Sequence, residues 1–104
     1  MVIDEIQELL STPPPEEAEA FLERLEATLT AGYAHALQLE GERWRLERRI
    51  GEVAARLADA EVEPRADELV ELARRLTTAN EDIASLRAAL ESLDERRAEV
   101  RTAA

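Results

Sequence analysis

AEAFLERLEATLTAGYAHALQLEGERWRLERRIGEVAARLADA, residues 18–60, sets an apolar or small residue at steps that alternate between four and three. The positions are Ala18, Leu22, Leu25, Leu29, Gly32, Ala36, Leu39, Arg43, Leu46, Ile50, Val53, Leu57 and Ala60, with Arg43 the one break in character. A strand repeats every second residue, whereas steps of four and three return to one face of a helix. Held for about six heptads, the spacing is that of a helix whose apolar seam faces another helix. The spacing therefore predicts a long helix over about 15–60.

On the N-terminal side, Ser11-Thr12-Pro13-Pro14-Pro15 interrupts the pattern. Three prolines cannot continue a helix, and each constrains the residue before it. Ser11 or Thr12 suits an N-cap for the helix that follows, with Glu16, Glu17 and Glu19 near the positive end of its dipole. Before the prolines, Ile3, Ile6, Leu9 and Leu10 share one face, which predicts a short amphipathic helix over 1–11. This helix is expected to fold back at the prolines and cover Phe21.

On the C-terminal side, Glu61-Val62-Glu63-Pro64 is expected to form a turn. A second seam then runs through Leu69, Leu72, Leu76, Ala79, Ile83, Leu86, Leu90, Leu93, Arg97 and Val100. It predicts a helix over about 65–102. Two long helices joined by a short turn give an antiparallel hairpin over 12–104. A fold point near residues 62–63 pairs Leu25 with Val100, Gly32 with Leu93, Ala36 with Leu90 and Leu46 with Ala79. Large side chains thereby face small ones. The seam arginines are expected as paired charges that fix register, Arg43 beside Asp82 and Arg97 near Asp94 and Arg101. The expected fold class is all-α, an antiparallel coiled-coil hairpin with a short N-terminal helix, dimerising into a four-helix bundle.

Composition agrees with that architecture and narrows the function. Thirteen arginines, no lysine and 24 carboxylates leave a net charge of −11. Such a balance repels a phosphate backbone, so no nucleic-acid partner is expected. The basic cluster Arg43, Arg45, Arg48 and Arg49 around Trp44 is interleaved with Glu40, Glu42, Glu47 and Glu52, which makes it a solvated ion-pair face. The chain has no cysteine, so it offers neither disulfides nor thiolate chemistry. His35 stands alone, no Glu-x-x-His pair occurs, and phosphate-binding and nucleophile motifs are missing. An enzyme is not expected, nor is any cofactor or metal. There is no apolar run of about 18 residues to span a membrane. Met1-Val2-Ile3-Asp4-Glu5 carries no basic or apolar leader, and the cytoplasm is the expected address.

The seam leaves Tyr33, Leu37 and Trp44 unused, although all three lie on one flank of the first long helix. The pairing register sets Asn80, Ala84 and Arg87 beside them, and Gly41 permits a close backbone approach. Tryptophan, tyrosine and arginine are enriched at binding hot spots. Tyr33, Leu37, Gly41, Trp44, Asn80, Ala84 and Arg87 are thus the expected protein-interaction patch. The expected occupant is an amphipathic helix of a partner or of a second copy, with a homodimer as the simplest arrangement.

Two families of small helical proteins bear comparison. The WXG type carries Trp-x-Gly in its turn, whereas Trp44 stands inside a helix in Arg43-Trp44-Arg45. The stretch Leu37-Gln38-Leu39-Glu40-Gly41-Glu42-Arg43, followed by Leu46 and Ile50, resembles flagellar export chaperones of the FlgN and FliT type. Leu72, Leu76, Asn80, Ile83 and Leu86 look like the second long helix of that family, although its second asparagine is missing. The resemblance covers about residues 20–100. It implies a chaperone that binds a terminal amphipathic helix of a filament or hook-junction protein.

Overall fold

The computed structural model describes residues 2–12, 18–57 and 62–103, the side chains of 62–64 excepted. Three helices account for nearly all of them: α1 (Val2–Ser11), α2 (Ala18–Arg56) and α3 (Val62–Ala103). The fold is an all-α helical hairpin, α2 and α3, preceded by the short α1, with no strand among the described residues. The proline run 13–15 and the residues 58–61 lie outside the described residues.

The ends of the helices differ from the sequence expectation in two places. Ser11 and Thr12 bond back onto α1, and the residues 13–17 that an N-cap of α2 would serve lie outside the described residues. Their hydroxyls donate to the carbonyls of Gln7 and Glu8 at 2.9 and 2.7 Å, and the Thr12 amide also donates to Glu8. The carbonyl of Glu8, one of the last four residues of α1 whose carbonyls have no partner within the helix, is thereby satisfied. α3 opens at Val62, so Val62, Glu63 and Pro64, expected in the turn, belong to its first turn. Proline is tolerated there because the first amides of a helix have no acceptor within it. The end of α2 is closed by the Leu57 amide, shared between the carbonyls of Val53 and Ala54.

The chain divides into two compact units. The first comprises Met1–Leu37 with Ala84–Ala104, and the second Gln38–Ile83. In the first, Arg101 pairs with Glu26, and Leu90 lies where a side chain on Gly32 would go. As α2 advances, α3 recedes, so the two segments run antiparallel. The contact of Gly32 is with Leu90, one turn from the expected pairing with Leu93. α1 is the third helix of this unit. Val2 lies near Gly32, Glu8 pairs with Arg24 at 3.2 Å, and the Arg96 guanidinium donates to the Thr12 carbonyl at 3.0 Å. Ile6 and Leu9 of α1 are fully buried, as are Leu25 and Leu93, while Phe21, Leu29, Ala36, Leu86, Leu90 and Val100 are nearly so. Each such leucine contributes about 1.5–3 kcal/mol of apolar burial. Leu10, expected on the same face as Ile6 and Leu9, is instead exposed.

The second unit holds the end of α2 and the start of α3. Its buried apolar side chains are Val53, Leu72 and Ile83. The seam residues Leu39, Leu46, Ile50, Leu69, Leu76 and Ala79 are only half-buried. Two helices cover one stripe of each other and leave the flanks of that stripe in water. The first unit has α1 to complete its core.

Candidate functional site

The residues expected as an interaction patch are divided between the units. Tyr33 and Leu37 lie one turn apart on α2 in the first, where Ala84 and Arg87 are exposed on α3. Gly41, Trp44 and Asn80 belong to the second. Exposure is 48% for Tyr33, 70% for Leu37 and 59% for Trp44, so the packing of either unit leaves these side chains uncovered. The Arg48 guanidinium stands 5.5 Å from the centre of the Trp44 ring, a cation–π contact along one helix. Gly41 is not a close-approach point between elements. A Cβ there would have only the Arg45 guanidinium of its own helix near it, at 3.7 Å.

The expected ion-pair face is present on α2. Arg43 pairs with Glu47 at 3.6 Å, Arg48 with Glu52 at 3.5 Å and Arg49 with Glu52 at 3.6 Å. Arg43 was expected beside Asp82, but four-residue spacing along the same helix supplies Glu47 as its partner. Arg97, half-buried, bonds to Asp94 within α3 as expected, and Arg101 reaches across to Glu26.

A more specific arrangement joins the helices of the second unit. Arg49 donates through Nε and Nη2 to one carboxylate oxygen of Glu68, at 3.1 and 2.7 Å, and Arg65 donates to the other at 3.3 Å. The Arg49 hydrogen bond holds the Glu68 carboxyl below its ordinary pKa, and the same bond raises that of the guanidinium.

Beside this pairing lies a groove of about 710 Å³ that the sequence reading did not find. Leu39, Leu46, Leu72 and Ala79 contribute apolar surface, and Arg45, Arg49, Arg74 and Arg75 contribute positive charge against Glu42 and Asp82. Arg49 is held by Glu68, and Arg74 pairs with Glu71 at 3.2 Å. Arg45 and Arg75 have no carboxylate partner among the described residues. The sequence signal was the same arginine cluster that reads as an ion-pair face. Only the fold shows that part of it borders half-buried leucines. A smaller cleft of about 350 Å³ in the first unit, beside Glu5, Glu8, Arg24 and Thr28, is bridged by the Glu8–Arg24 pair.

Among the described residues, no group of three or more metal-ligating side chains is gathered, and no helix is long and apolar enough to cross a membrane. Comparison with protein-family models, with curated proteins and with solved structures found no match.

Proposed function

We propose that the protein is a non-enzymatic interaction module that buries an amphipathic helix of a partner protein. The observation that carries this reading is the exposure of large apolar side chains on well-formed helices, Tyr33 and Leu37 in one unit and Trp44 in the other. Tyrosine and tryptophan supply much contact area for little lost conformational freedom, and they concentrate at binding hot spots. Helix-in-groove recognition uses anchors at these helical spacings. An export chaperone is one form of this module, supported by the resemblance of the leucine-rich helices to the FlgN and FliT type.

Sedimentation over a range of concentrations tests the reading, with and without Trp44→Ala. Association, with itself or with a partner, is expected to weaken about tenfold in the variant, the scale of one hot-spot side chain. Helicity by circular dichroism should stay unchanged, because Trp44 is exposed. Unaltered association overturns the assignment of Trp44. A dimer that persists at every dilution and takes up no other helix favours a purely structural coiled coil.

A further inference from the structure

We infer that α1 is an exchangeable helix: the face of α2 and α3 on which it sits in its own chain also takes α1 of a second copy. Such exchange goes beyond the helix-binding role proposed above and uses a different surface.

What holds α1 is confined to α1 and its seat. Ile6 and Leu9 are fully buried, Val2 lies beside Gly32, Glu8 pairs with Arg24, and the Thr12 carbonyl accepts a hydrogen bond from Arg96. None of these contacts involves the link between α1 and α2, so α1 of a second copy would make every one of them. The direction of α1 sets that link against the seat. Val2 stands near Gly32 and Glu8 near Arg24, so α1 and α2 run antiparallel and the chain must turn back between Thr12 and Ala18. The intervening sequence is Pro13-Pro14-Pro15-Glu16-Glu17. Proline fixes φ and holds the residue before it out of the α region, and successive prolines favour the extended polyproline conformation. That preference directs α1 away from its own α2 and towards a neighbour. A helix of ten residues does not persist alone in water, so α1 released from one seat needs another. Reciprocal exchange supplies it: two copies related by a two-fold axis each seat the other's α1, bury the same side chains and close the pair. Association entropy opposes the exchange, which therefore grows with concentration.

The chain has no cysteine, so an introduced thiol marks a single place. Glu8 and Arg24 are exposed, which suits Glu8→Cys and Arg24→Cys, and circular dichroism checks that both variants are folded. The two single variants are mixed at about 0.15 M salt, which screens the charge of each copy, and treated with a short bismaleimide. Mass spectrometry reads the 8–24 linkage between chains. Glu8→Cys mixed with Glu71→Cys gives the collisional background, because Glu71 is exposed on α3 in the other unit. The 8–24 linkage is expected at least about tenfold faster than that background, since docking holds the thiols at an effective concentration near the millimolar range. A rate equal to the background overturns the exchange, and α1 then serves only its own chain. Pro13→Gly/Pro14→Gly/Pro15→Gly, which lets the link turn freely, should lower the linkage at least about threefold. A yield that ignores these replacements overturns the part given to the prolines. Trp44→Ala should leave the linkage unaltered; a linkage lost in that variant assigns the contact to the Trp44 flank and overturns the exchange.

Discussion

A methyl group at position 32 has no room. Its carbon would lie 2.4 Å from Cδ2 of Leu90, which is itself buried, and 3.6 Å from a methyl of Val2. Gly51 differs in every respect, exposed on α2 with nothing within 4 Å of a Cβ. Glycine inside a helix costs about 1 kcal/mol relative to alanine. Overpacking a filled site costs about 1–3 kcal/mol. Gly51→Ala is therefore expected to stabilise the protein by up to about 1 kcal/mol. Gly32→Ala is expected to destabilise it by about 1 kcal/mol net. Urea denaturation of the two variants measures this directly. If both stabilise, Gly32 is not the tight contact described. The sequence reading placed Gly32 in the seam opposite a leucine, and that much was legible. Which leucine fills the gap depends on the register of the packed side chains, which spacing alone does not resolve.

α1 shows where sequence patterning succeeds and where it stops. Ile6 and Leu9 share a face by spacing alone, and both are fully buried. Leu10 fits the same pattern but is exposed, because the contact stripe is narrower than the apolar arc. The helix limits moved by a few residues for local reasons: Thr12 closes α1, and Pro64 fits the first turn of α3. Residues 13–17, where the chain leaves α1, lie outside the described residues. Leu9→Ala is expected to destabilise the protein by about 2–5 kcal/mol, the range for truncating a buried leucine. Chemical denaturation of the variant gives the value. A loss below about 0.5 kcal/mol, typical of surface positions, would mean that α1 is not part of the core.

At the scale of the whole molecule, the acidity and the Glu/Arg share belong to solvated helix faces, while the cores of both units are apolar and the first is built mainly of leucine. The hairpin was legible because heptad spacing survives any choice of surface residues. The groove was not, because it depends on a third helix being present in one unit and missing from the described residues of the other. Eight of the thirteen arginines fall in the second unit, where twelve carboxylates outnumber them, so the arginines beside the half-buried leucines sit within an acidic surface. On the proposed function, Trp44 is open in the free chain and covered on association. Trp44 is the single tryptophan, so its emission reports on that surface alone. Acrylamide quenching, followed as the chain associates with a copy or a partner helix, tests the claim most directly. Strong quenching and red-shifted emission in the dilute chain should give way to weak quenching and blue-shifted emission in the complex. Association that leaves both unchanged would contradict it.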